Sequence, residues 1–277
     1  MLTTTVDGLW ALQVLAGIET VAPELGLRPH LPSVESWQLA LRHPIATDLR
    51  AAGVIDDGGN VDTAVLEWLT VLSRRDIALC IDFRTPGDAN PPRALLARFA
   101  QWWVALERDA DLIRISPAGT AHAEDSASAV LNAQIERLCG PSDAARLRPV
   151  TLDTQALRAV SAGAQPMCDF LGGQGLDPDQ LRTVMLAADD TRSAKASIVA
   201  IQSGVATGRI RRTRIEQAAV TIIDTPEGRV VVEEVRSAGR EWNIISPGSW
   251  GNIAAAVDHM VRRLPADREW YSYRKVV

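Results

Sequence analysis

The chain has 277 residues, 47% of them apolar and 23% charged, values ordinary for a globular protein and long enough for one large domain or two fused halves. Its net charge of −5 and pI near 5.5 argue against a nucleic-acid binder, which carries a basic excess. No apolar run approaches the roughly 18 residues of a membrane span, and "MLTTTVDGLW" lacks the basic and apolar regions of a secretory signal; Cys80, Cys139 and Cys168 form no CxxC, so a reduced, cytoplasmic protein without membrane insertion is expected.

In chain order, Thr3, Thr4, Thr5 and Val6 predict an opening strand, and "LWALQVLAGI" a short helix with Leu9, Leu12, Val14 and Leu15 on one side. The prolines of "VAPELGLRPHLP" make it an extended connector. Ser33 is the expected cap of a helix carrying Trp37 and Leu41 and, past Pro44, Ile45 and Leu49. "GVIDDGGNVD" reads as a loop, and Asp62 as the cap of a helix with Val65, Leu66, Leu69 and Leu72. The apolar segments "IALCIDF", "ALLARFA", "WWVALER" and "LIRISP" then follow in close order, the first two flanking the loop "RTPGDANPPR", which is the pattern of an antiparallel meander. A helix with Leu131, Ile135 and Leu138 at i, i+4 and i+7 comes next.

From about Pro149 to Asp190 the chain is expected to be helical. Asp153 caps "TQALRAV", "FLGGQGL" separates two short helices, and Asp177, Pro178 and Gln180 form a helix start with a capping box. Strands return in "ASIVAIQS", "QAAVTIID", the hairpin "IIDTPEGRVVVEEV" and "EWNIISP". The last helix sets Ile253, Val257, Met260, Val261 and Leu264 on one stripe and places Arg262 and Arg263 at the negative end of its dipole.

Two segments repeat one plan. "DADLIRISPAGTAHAEDSASAVLNAQIERLCG" and "REWNIISPGSWGNIAAAVDHMVRRLPAD" each pass from a charged turn through a strand to Ile-Ser-Pro, then Gly, then a helix. A lone meander leaves an apolar face and free edges, and two copies sharing one sheet bury them. The expected fold is α+β: a central, mostly antiparallel β-sheet with pseudo-two-fold repeated halves and helical bundles, the helices covering one face. The chain is read as one domain, with residues 1–148 as the first half-repeat, 149–277 as the second, and a helical insert at about 150–190.

Catalytic patterns are lacking. His30, His43, His122 and His259 form no HxH, HExxH or HxxxH pair. "SPGSWG" lacks the GxSxG of a nucleophile elbow and suits Ser249 as a helix cap; "DDGGNVD" lacks calcium-loop spacing; "FLGGQGLD" has no Lys-Ser/Thr behind it. No catalytic residue, metal or cofactor is therefore expected. The cluster Arg209, Arg211, Arg212 and Arg214 admits three readings: a nucleic-acid patch, a charged strand edge or loop that blocks edge-to-edge pairing, or a contact for an acidic protein. The acidic total favours the second. Trp102 and Trp103, adjacent on a strand, must face opposite sides, so one can fill the core while the other marks a surface if that face is uncovered.

Taken in order, "TVDGLWALQ", "APELGLRP", "GVIDDGGNVD", "VTIIDTPEGRVVV", "IISPGSWGNIAAAVDHMVRRLP" and "EWYSYR" resemble the EspG family, cytosolic chaperones of actinobacterial type VII (ESX) secretion. The likeness runs from Leu2 to Tyr273, and the two ends are most similar to the branch of the second ESX system. It implies a non-enzymatic, substrate-specific chaperone that binds the PPE helical tip of a PE–PPE heterodimer, at about 1:1:1 stoichiometry, keeps it soluble and directs it to its secretion system. It also implies contacts on the loop between the first two meander strands, on the sheet and on the second helical bundle. In this chain those are Arg84, Thr85, Pro86, Gly87, Asp88, Ala89, Asn90, Pro91 and Pro92 of the loop and Leu181, Val184, Met185 and Asp189 of the bundle; core packing is the other reading of the apolar three. Arg211 and Arg212 join them as candidate partner contacts. A homo-oligomer is compatible with this reading. The rival readings are an α+β enzyme using Asp and Ser groups and a nucleic-acid module built on Arg209–Arg214.

Overall fold

A computed structural model describes residues 1–160, 163–206, 209–216 and 218–274; the side chains of residues 164, 165 and 205–214 lie outside that description. The first half opens with β1 (Leu2–Thr5) and α1 (Val6–Ala16), where the Thr5 hydroxyl accepts the Gly8 N–H. Two short helices, α2 (Trp37–Arg42) and α3 (Ile45–Ala51), follow the proline-rich connector. The cap of α2 is Ser36, which accepts the Leu39 N–H, and not the expected Ser33. Ser33 belongs to a separate turn in which Val34 and Glu35 both donate to the Leu31 carbonyl. Asp62 caps α4 (Thr63–Arg74) by accepting from Ala64 and Val65, with Val65, Leu69 and Leu72 buried and Leu66 exposed.

The meander is β2 (Ile77–Arg84), β3 (Arg93–Phe99), β4 (Trp102–Asp109) and β5 (Leu112–Thr120), followed by α5 (Glu124–Cys139). The second half repeats the plan with β6 (Val150–Asp153), α6 (Thr154–Val160), α7 (Ala164–Gly173), α8 (Pro178–Ala188), then β7 (Ala194–Ala206), β8 (Arg209–Ile215), β9 (Val220–Thr225), β10 (Gly228–Ser237), β11 (Arg240–Pro247) and α9 (Trp250–Arg262). The stretch expected to be wholly helical thus begins with a strand. β6 is only four residues long, and its pairing of Val150 and Leu152 with Ile245 and Asn243 of β11 is a tertiary contact that no local pattern announces.

The strands of the described residues form one eleven-stranded sheet of antiparallel ladders in the order β1-β5-β4-β3-β2-β7-β9-β10-β11-β6, with β8 paired to β7. The order is symmetric about the β2–β7 pair: each half runs outward through its meander to a short edge strand that precedes its helices in the chain. α6–α8 therefore stand in the second half where α1–α4 stand in the first.

Helices cover both faces, not the one face expected, because the central strands are apolar on both sides. Ile77, Leu79 and Ile81 join Ala196, Ile198 and Ala200 in a core beneath α5 and α9 that spans both halves. Ala78 and Cys80 face the other way, into a core under α1 and α4. On that same face, at the far side of the sheet, Ile223, Val230 and Ile245 pack under α7 and α8.

Two buried arginines tie the halves together. Arg229 on β10 is held by Asp224 at 2.6 and 2.8 Å and donates to the Cys139 and Gly140 carbonyls at the end of α5. Arg98 on β3 pairs with Asp76 at 2.8 Å and donates to the Trp270 and Tyr273 carbonyls of the segment after α9. Each half thus grips the end of the other's closing segment. Gly204 lets the tail lie close, since a Cβ there would collide with the Tyr273 hydroxyl.

Candidate functional site

The bundle α1–α4 and the bundle α6–α8 stand on the same face of the sheet, and between them is a strip of β2, β7 and β9 on which Asp82, Lys195, Ser197, Val199 and Thr221 are only part-buried. Its floor follows from the register. Residues paired across antiparallel strands face the same side. Asp82 is opposite Arg93 on one side and Ser197 on the other, and Ser197 is opposite Thr221. This row is polar; the row before it on that face, Cys80 and Val199, is apolar, and the row after it joins Arg84 and Lys195 to the buried Ile223. Asp82 and Arg93 form an ion pair at 3.0 Å with each side chain about half exposed (49% and 48%). The Ser197 and Thr221 hydroxyls share a hydrogen bond of 3.3 Å. Beyond the row, Arg84 is opposite Lys195, whose ammonium meets Asp190.

The loop after β2 stands at the end of this strip. Thr85–Asp88 is a turn closed by the Asp88 N–H on the Thr85 carbonyl, with Pro86 second and Gly87 third at φ +80°. That is the type II geometry, in which a left-handed third residue favours glycine. Asp88 accepts the Asn90 N–H at 2.9 Å, and the Phe83 N–H donates to the Pro92 carbonyl. Arg84 through Asn90 are all exposed on this internally braced loop.

The pairing of Arg84 with Lys195 brings the loop beside the end of α8, because only Asp189–Ser193 separates α8 from β7. Asp189 accepts the Thr191 hydroxyl at 2.6 Å and the Thr191 N–H at 2.9 Å; these bonds, the hydroxyl's first, hold its carboxyl below the usual range. In α8 itself, Val184 is buried in the core under the bundle, while Leu181 and Met185 are half-buried against that core. Asp177 and Gln180 close the expected capping box.

The structure does not bring Arg211 and Arg212 to this place. Their side chains lie outside the described residues, and their strand, β8, pairs with the opposite end of β7. From Lys195, opposite Arg84, to Gly204, opposite Arg211, β7 runs about 30 Å at roughly 3.3 Å per residue. The two tryptophans divide as alternation requires: Trp103 is buried against Trp270, with ring centroids 6.5 Å apart, and Trp102 is 51% exposed on the opposite face.

Sequence reasoning missed the floor itself: Asp82, Arg93, Ser197, Thr221 and the Lys195–Asp190 pair. A trace of it is present. Asp82 interrupts "IALCIDF" at the spacing of Ala78 and Cys80, so an acid falls on a face that is otherwise apolar. Among the described residues no group of His, Cys, Asp or Glu could hold a metal, and no helix is long and apolar enough to cross a membrane.

A part-exposed sheet strip between two helix bundles, carrying the Asp82–Arg93 and Lys195–Asp190 pairs and a braced turn at its mouth, has the make-up of a protein-binding platform. The sequence model of the EspG family matches residues 5–259, and the chain belongs to that family. It is 50% identical, over the full length of both chains, to the ESX-2 secretion-associated protein EspG2 of Mycobacterium tuberculosis. To the ESX-3 secretion-associated protein EspG3 of Mycolicibacterium smegmatis it is 27% identical over 96% of this chain and 88% of that one. The fold is similar to that of the type VII secretion system chaperone EspG5 of Mycobacterium tuberculosis, solved in complex with the PE25–PPE41 dimer, with a TM-score of 0.76 over 98% of this chain and 99% of that one at 21% identity.

Proposed function

We propose that this chain is a cytosolic, non-enzymatic chaperone of ESX secretion that binds the PPE helical tip of a PE–PPE heterodimer, keeps it soluble and directs it to its secretion system. It works as one domain of two half-repeats, residues 1–148 and 149–277. The observation that carries the reading is the part-exposed strip between the bundles, next to the exposed Arg84–Asn90 turn. A helical hairpin tip has apolar side chains that self-associate in water, and a recess with apolar rows and a polar rim removes them from water without chemistry. In this reading the loop residues Arg84, Thr85, Gly87, Asp88 and Asn90 touch the tip, and Val184 supports the wall from behind. Asp76, the carboxyl that burial pushes upward, is enclosed by Arg98 and the main chain, a placement suited to holding the fold rather than to acid–base catalysis.

The test is co-expression with PE–PPE pairs from the same genome, followed by size exclusion. A 1:1:1 complex is expected with a matching pair; no complex with any pair refutes the function. Within that complex, Arg84→Ala with Asp88→Ala is expected to raise Kd about tenfold, since each rim charge contributes up to about 1 kcal/mol, and to leave the thermal midpoint unchanged. An unaltered Kd removes the loop from the contact.

A further inference from the structure

The polar row on the strip floor calls for a particular chemistry in whatever covers it. Resting on the proposed function above, we infer that this row is a specificity element: it selects a PPE tip that presents an uncharged hydrogen-bonding side chain, a carboxamide or hydroxyl, among its apolar ones. Asp82 and Arg93 already neutralise one another at 3.0 Å. A charged group pressed against that pair loses its hydration and gains from neither member a counter-charge of its own. Ser197 and Thr221 make one hydrogen bond between them, at 3.3 Å, and among the described residues neither makes another through its side chain. Two hydroxyls sharing one bond leave one proton to give and lone pairs to fill. A neutral group that both donates and accepts meets that need; an aliphatic group leaves the hydroxyls unpaired once water is excluded, and a site built to hydrogen-bond discriminates strongly against the analogue that cannot. Beside the row the part-buried Val199 supplies apolar contact, while Ile223 on the other side lies buried under α7 and α8, so the row adds selection to a surface whose attraction comes from elsewhere.

The experiment compares Ser197→Ala with Thr221→Val, which removes both hydroxyls at nearly constant volume, against Ser197→Thr with Thr221→Ser, which keeps them. The probe is the PE–PPE pair from the same genome that forms the complex, with Kd read by calorimetry and folding by thermal melting. Loss of the hydroxyls is expected to raise Kd about tenfold, and the hydroxyl-keeping exchange to stay within about threefold of the native chain. Leucine in place of each polar residue of the PPE tip in turn should, at one position, weaken the native chaperone about tenfold and leave the Ala/Val variant indifferent. A correctly folded Ala/Val variant that binds as tightly as the native chain overturns the inference while leaving the proposed function intact. So does equal weakening of both chaperones by every tip substitution. If the native chain binds no PE–PPE pair, the function fails and the inference falls with it.

Discussion

Asp76 and Arg98 are 0% and 1% exposed and meet at 2.8 Å, deep under the closing segment of the chain. Burial pushes the Asp76 carboxyl up and the Arg98 guanidinium down, each partly offset by the other, so the pair exists because each neutralises its neighbour. Removing one member leaves a charge stranded. Asp76→Ala is expected to lower unfolding stability by about 3–5 kcal/mol, while Asp76→Ala with Arg98→Met, which removes both charges, costs distinctly less. Urea denaturation of the two variants checks this, and equal losses contradict it. Residues of this kind are only half legible in sequence. The arginine inside "ALLARFA" stands out, but its partner lies 22 positions back and the carbonyls it binds 172 and 175 positions ahead. Trp102 and Trp103 are the opposite case: their division between surface and core needs nothing beyond the two-residue period of a strand.

The long elements were readable because their patterns are local. The four meander strands, α4, α5, α8 and α9 follow from periodicity and caps, and Asp62, Asp177 and Ser249 cap the helices expected of them. β6 and the side of the sheet to which each helix belongs were not readable, since both depend on pairing across the molecule. The arginine-rich stretch is a strand, one of the placements open to it, yet local pattern could not say that it would pair with the end of β7 away from the Arg84 turn. α8 shows how far a local element reaches into function. Its first turn is fixed by the Asp177 carboxylate accepting the Gln180 N–H at 2.9 Å, and its far end leads through Asp189 to Lys195 on the strip. Asp177→Ala removes that cap and is expected to cost about 1 kcal/mol, expressed first as faster amide exchange across 178–188 and not in the meander. Uniform loss of protection in both halves would show that the bundle has no local stability of its own.

At the scale of the molecule, the two halves are bound by three kinds of contact at once. β2 and β7 pair along Ile77–Arg84 and Lys195–Gln202, which makes the seam a continuous antiparallel ladder. The core beneath α5 and α9 draws residues from both sides of that seam. Arg229 and Arg98 each hold main-chain carbonyls from the other half. Cutting the chain at 148/149 would expose a long central strand edge on each piece, open a shared apolar core and take from two buried arginines the carbonyls they bind. Internal symmetry by itself would let each half fold alone; this seam argues against it. The expectation is that residues 1–148 and 149–277 expressed separately are insoluble or lack a cooperative transition, and that co-expression restores a single soluble particle with the melting behaviour of the intact chain. For the intact protein, near-ultraviolet and far-ultraviolet signals should then unfold together in one step. A soluble 1–148 fragment with its own sharp melting transition would make the seam a docking contact between independent domains, and the strip between the bundles, which spans that seam, would become a cleft that can open and close.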